Sequence, residues 1–186
     1  MIKKLLLMPP LLVLGCLIAG FYGALHDQVS YTASPDYFHA FKFIQFRISP
    51  HLQDRLGAAF VGWTATWWMG PIIGVPLLVV GLIIPGWRAY LRCVLTAYGV
   101  ATLTALLIGV GALAAAYATL TPDNLPAFAF PEGVNDRVAF ARVGIMHNFS
   151  YLGGGVGMLT GLAYLIWARW RMGRSTAVDG KVGLTD

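Results

Sequence analysis

Four runs free of Asp, Glu, Lys and Arg divide the chain: residues 5–25, 56–87, 93–122 and 143–167, of 21, 32, 30 and 25 residues. About 20 apolar residues cross the hydrocarbon core of a bilayer as a helix, so each run is long enough to span it. The apolar positions are continuous, not alternating, and a single helix satisfies its own backbone hydrogen bonds in lipid; helices are therefore expected, not a barrel. The pattern predicts an all-α integral membrane bundle of four transmembrane helices over about 5–25, 57–84, 91–119 and 143–168. It leaves outer loops at 26–56 and 120–142, a cytoplasmic tail at 169–186, and one membrane domain over 1–186.

The segment "HDQVSYTASPDYFHAFKFIQF", residues 26–46, interrupts this pattern, polar first and aromatic afterwards. "SPDY" reads as a helix start, with Ser34 as N-cap, Pro35 at the first helical position and Asp36 near the positive helix end. From there Tyr37, Phe41, Ile44 and Ile48 form one stripe, widened by Phe38, Phe43 and Phe46. A short helix over 36–48 lying flat in the outer interface is the expectation. "HDQVSYT" then bridges the first span to it.

Within the spans, Pro71 and Pro76 predict a kink in the second, below Trp63, Trp67 and Trp68 at the interface. The third span is rich in Ala, Gly and Thr, as expected of a central helix. On the fourth, Ser150, Gly153, Gly157 and Gly161 form a small-residue face suited to close helix packing. His147 falls on a neighbouring stripe with Tyr151, Gly154 and Met158, directed toward the bundle. Arg137 and Arg142, just before this span, read as surface partners of Asp27, Asp36 or Asp136, or of lipid phosphate.

With 58% hydrophobic and 11% charged residues, the composition is that of a membrane protein. With both termini cytoplasmic, eight basic residues (Lys3, Lys4, Arg88, Arg92, Arg169, Arg171, Arg174, Lys181) fall inside. Five (Lys42, Arg47, Arg55, Arg137, Arg142) fall in the longer outer segments. The positive-inside rule therefore favours this orientation, and the net charge of +5 needs no nucleic-acid partner. "VLGC" at 13–16 resembles a lipoprotein signal, but Leu14 is bulky and the apolar run continues past Cys16, so an uncleaved first helix is expected. Cys16 and Cys93 lie on different spans and make no metal-type pair.

All four histidines map to the outer side under this topology. His26 and Asp27 end the first span, and His147 lies just inside the outer end of the fourth. Ionisable groups at membrane depth call for a partner or a function. Four uses are open: a transition metal ion (zinc, copper or iron) held by His26, Asp27 and His147; bis-histidine haem ligation; a quinone or lipid site; and a structural hydrogen bond from His147 to Asp27 or Gln28. Gln28, Tyr31, Asn148 and Tyr151 complete the candidate polar site.

"HDQVSYTASPDYFHAFKF" and "MHNFSYLGG" (146–154) resemble two blocks of a group of bacterial four-span integral membrane proteins of about this size. The resemblance implies bacterial inner-membrane placement and a linked role for the two blocks, and it carries over no catalytic residue. The reading is a polytopic inner-membrane protein with a periplasm-facing polar site built from 26–31 and 147–151. The alternative is a non-catalytic subunit or scaffold that contacts a partner through the aromatic helix and the glycine-rich span. Whether it is an enzyme stays open. The expected partners are the lipid bilayer and a membrane protein or second copy. Transport is disfavoured because no acid or base lies near mid-membrane.

Overall fold

A computed structural model describes residues 1–125 and 129–182, the last eight as backbone only. Residues 126–128 of the second loop and 183–186 of the tail lie outside the described residues. The chain is all-helical, and no strand occurs among the described residues. The helices are α1 (Ile2–Ala33), α2 (Pro35–Tyr37), a π-helical turn (Phe38–Lys42), α3 (Phe43–Gln45), α4 (Arg55–Thr66), α5 (Met69–Gly81), α6 (Trp87–Thr119) and α7 (Arg137–Val182). Three helices, α1, α6 and α7, are long and apolar enough to cross a membrane. The pair α4 and α5, bent by 42°, passes the same test as one unit, giving up to four spans. The protein is a membrane protein.

The α4–α5 bend falls at Trp67–Trp68, four residues ahead of Pro71. A proline has no N–H to give the carbonyl four residues back, here that of Trp67. Gly70 N–H takes that carbonyl instead at 3.0 Å, tightening the turn and breaking the axis one turn before the proline.

Glycine sets how closely the helices meet. Gly23 of α1 and Gly62 of α4 cross so tightly that a Cβ on either would strike the backbone of the other. The expected small-residue face of α7 packs inside the bundle: Gly153, Gly157 and Gly161 lie on Ala105, Ala101 and Ala97 of α6. That face is therefore occupied by the chain's own α6, whereas a Cβ on Gly155 of α7 would meet nothing within 4 Å. Arg142 donates to Leu120 O at 2.8 Å and lies 4.5 Å from the Tyr117 ring centre, and Arg137 lies over Phe130. Among the described residues neither pairs with Asp27, Asp36 or Asp136.

Two features of the 26–46 segment differ from the expectation. "HDQVSYT" is not a bridge; it forms the last two turns of α1, which runs to Ala33. Ser34, extended and accepting from Tyr37 N–H, then caps α2 as expected, with Pro35 at its first position. The aromatic helix is interrupted by the π turn, closed by Phe43 N–H to Phe38 O. One extra residue per turn brings Phe38 and Phe43 onto the same inward face, at 0% and 1% exposure, while Ile44 is 68% exposed. The buried set is therefore Tyr37, Phe38, Phe43 and Ile48, not the regular stripe. This aromatic layer closes one end of the bundle against Ala58, Val61, Phe140 and Val143. Asp36 pins it there, its carboxylate accepting from Asn135 N–H at 2.7 Å and Asp136 N–H at 2.9 Å.

At the opposite end, Lys4 Nζ donates to Leu82 O at 2.9 Å and Ile84 O at 2.5 Å, stitching the start of α1 to the turn after α5.

Candidate functional site

Because α1 runs through the polar block, His26, Asp27 and Ser30 share its last buried turns beneath the aromatic layer. His147 and Ser150, one turn apart on α7, face them. Asp27, 2% exposed, is the centre. Its Oδ1 lies 3.1 Å from His26 Nδ1, 3.7 Å from His147 Nε2 and 3.5 Å from Ser30 Oγ. A carboxylate can only accept, so His26 carries its proton on Nδ1 and its Nε2 accepts from Ser150 Oγ–H at 2.9 Å. Ser30 donates to His26 O at 3.2 Å, leaving its oxygen to accept from His147 Nε2–H at 3.3 Å. The two imidazoles meet edge to face with ring centres 4.7 Å apart, and Tyr37 stacks on His147 at 4.9 Å and 28°.

Of the residues singled out in the sequence, the structure gathers His26, Asp27 and His147. One donor atom from each lies within 4.8 Å of the others. Bonds of about 2.0–2.1 Å place the ligand atoms of a tetrahedral ion about 3.4 Å apart. The observed 3.1 and 3.7 Å about Asp27 bracket that value, and the three donors all lie within 4.8 Å, so side-chain adjustment would bring them onto one ion. Tyr151 stands beside the cluster, its hydroxyl 3.5 Å from Ala65 O. The other three candidates lie elsewhere. Gln28 donates to Arg55 O at 2.9 Å, Tyr31 pairs with His39 Nε2 at 3.2 Å, and Asn148 is exposed.

The sequence reading did not single out Ser30 and Ser150, although its blocks 26–31 and 147–151 contain them, and it left Tyr22, Tyr37 and Lys42 outside the site. Ser30 and Ser150 were findable, four residues after His26 and three after His147 on continuous helices. Tyr22, one turn before His26, follows the same rule; its hydroxyl is buried, makes no close hydrogen bond and has Ser150 as its neighbour.

Below the cluster a cavity runs between α1, α4, α5, α6 and α7, lined from His26 and Asp27 to Gly15 and Tyr98. Lys42, delivered by the π turn, lines its upper end. Its ammonium donates to Gln45 Oε1 at 3.1 Å and lies 4.8 Å from the Phe41 ring centre. Desolvation lowers the Lys42 pKa from its ordinary value, while the Asp27 charge acts the other way. Burial raises the Tyr37 phenol above its usual range, with Asp27 adding to it, so it stays neutral.

No protein-family model matches the chain, and neither a curated protein nor a solved structure gives a significant match. The chemistry of the site therefore rests on its own geometry.

Proposed function

We propose that the protein is a four-span protein of the bacterial inner membrane, with cytoplasmic termini and an interfacial aromatic helix, whose periplasm-facing site binds a transition metal ion. His26 Nδ1, the Asp27 carboxylate and His147 Nε2 are the ligands. The observation that carries this reading is the convergence of those three donors within 4.8 Å in a buried position. Counting the bent α4–α5 pair as one span gives the four crossings, and the distribution of Lys and Arg supports the orientation. Two nitrogens and one carboxylate oxygen suit zinc, copper or iron. Three protein ligands beside a cavity leave a fourth position, the arrangement of reactive and not of purely structural sites. A bound ion there supplies a Lewis acid to whatever enters the cavity.

Metal analysis of protein purified from native membranes tests the reading. About one equivalent of metal is expected, lost in His147→Ala. A preparation that stays metal-free after growth in zinc-, copper- and iron-supplemented medium sinks it.

A second reading is favoured by one specific pair of distances. Ser150 Oγ to His26 Nε2 at 2.9 Å and His26 Nδ1 to Asp27 at 3.1 Å place a hydroxyl, an imidazole and a carboxylate in the order of a nucleophile, its base and the base's orienting group. In this reading Ser150 Oγ bonds to an acyl carbon while its proton passes to His26 Nε2, which returns it to the leaving group as the scissile acyl bond breaks, and water then releases the acyl group from Ser150. The two readings exclude each other at His26, because a metal on Nδ1 places the ring proton on Nε2. Covalent labelling of Ser150 by a fluorophosphonate, blocked in His26→Ala, selects the second; an unlabelled Ser150 in chelator-treated protein removes it.

A further inference from the structure

We propose that the cavity beneath the cluster is a binding site for a single-chain amphiphile with a carboxylate head, the chemistry of a fatty acid. The chain lies along the cavity, and the head sits at the upper end among Tyr22, Lys42 and the His/Asp cluster. The part of this inference that concerns the head rests on the metal reading; the part that concerns the chain does not.

The shape selects a chain. From His26 to Gly15 the cavity follows eleven residues of α1, about 16 Å at a helical rise of 1.5 Å per residue. The lining residues of α1 fall on successive turns, Gly15, Ile18, Ala19, Tyr22 and His26, so the cavity is elongated along that helix. Its lower walls are apolar, including Ile18, Met69, Ile73 and Ala101. Apolar cavities of this kind stay dry, so an apolar occupant displaces little ordered water. In a membrane the chains that reach such a tube are acyl chains. Tyr151, which lines the tube yet is 41% exposed, joins α7 to Ala65 of α4 and forms part of the wall toward the outside of the bundle.

The upper end selects the head. Tyr22 lines this end with a buried hydroxyl that makes no close hydrogen bond and has Ser150 as its neighbour, and a buried donor left poorly paired is costly. A carboxylate oxygen satisfies it. Lys42 is the one cation among the lining residues, and Asp27 is the one anion. A divalent ion on His26, Asp27 and His147 brings the local charge, with Lys42, to a net excess of positive charge, which a single carboxylate complements.

Binding of radiolabelled laurate to the purified, metal-loaded protein in maltoside micelles is the test, with dodecanol as the competitor that has a chain but no charge. Saturable laurate binding is expected, with dodecanol competing weakly. Gly154→Leu should weaken laurate binding about tenfold or more while metal content holds, because the new side chain fills the tube. Gly154 lines the tube, and a Cβ there meets only the flexible ends of Met69 and Ile73, at 3.3 and 3.8 Å. Thr102→Leu, from the opposite wall, gives the same result if Gly154→Leu fails to fold. Tyr22→Phe should weaken laurate but not dodecanol. Laurate that binds equally to wild type and to both blocking variants, or does not bind at all, overturns the proposal. Laurate that binds to metal-free protein and is lost on blocking the tube supports the chain site and refutes the metal reading, so the two fail separately.

Discussion

At the end of the bundle that carries the termini, Arg88 lies 5.2 Å from the Trp87 ring centre, Arg171 5.0 Å from that of Trp167 and Arg174 3.9 Å from that of Trp170, with all three indoles exposed. At the aromatic end, Asp27, Ser30, His26 and His147 are buried and joined to one another. Both ends put polar groups where a bilayer would meet water. The first uses long side chains that reach water from an apolar stem, a device that tolerates substitution because each guanidinium acts alone. The second fixes short side chains from two helices around a single carboxylate, so each group depends on the others. Anchoring is met by composition, whereas a site is met by geometry, and among the described residues it is the aromatic end that gathers titratable side chains from two helices, the buried Lys4 at the other end bonding backbone carbonyls alone.

The largest test of this contrast is Asp27→Ala. It leaves the His26 Nδ1–H buried without its acceptor and should cost about 1–3 kcal/mol, read as a shifted unfolding midpoint in mixed micelles. A midpoint unchanged from wild type would show that the cluster is no more coupled than the arginine end. Ser150→Ala is gentler, removing one hydrogen bond from His26 Nε2 at about 1 kcal/mol. The metal reading expects its metal content to stay at wild-type level, and loss of metal in this variant would place Ser150 among the ligands.

How much of this was legible in the chain divides along the same line. The helices followed from uninterrupted apolar runs, since crossing a membrane constrains every residue of a span. The meeting of His26 and His147 followed from their placement at the same end of two helices and from the glycine face of α7, which fixes which side of that helix is internal. The continuation of α1 to Ala33 was signalled by the absence of Gly or Pro between Ala24 and Ser34, but the polar run concealed it, and Ser30 was lost with it. The π turn was not legible, because it is chosen by what Phe38 and Phe43 must both bury, and local spacing carries no record of that. Lys42 and the cavity were hidden for the same reason, since a gap between helices is a property of their axes and not of any one stretch of residues.

Asp36 offers a finer probe, because it holds the aromatic layer to the start of α7 from a position near water. Backbone N–H groups of Asp136 and Asn135 favour its charged form and lower its pKa below the ordinary 3.8. A folded-state pKa below the unfolded one gives stability that is present above about pH 4 and lost as pH falls through the folded value. Hydrogen exchange at the Asn135 and Asp136 amides should therefore be flat from pH 7 to about 5, once corrected for intrinsic rates, and should lose protection below about 4. In Asp36→Asn that step should vanish. Protection that keeps its pH step in the variant would show that some other group holds the layer down.

The smallest expected effect lies at the opposite end. Arg171→Ala removes one cation from an exposed indole and should change stability by less than about 0.5 kcal/mol, because the guanidinium is hydrated with or without its ring. Its effect should instead be on orientation, and only in number: with Arg171, Arg169 and Arg174 all replaced by Gln, a reporter fused after residue 186 should begin to appear on the periplasmic side, whereas each single replacement leaves it inside. The arginines would then be interchangeable members of a count. A single replacement that costs as much as Asp27→Ala would make that end a specified site as well, and the distinction between the two ends would fall.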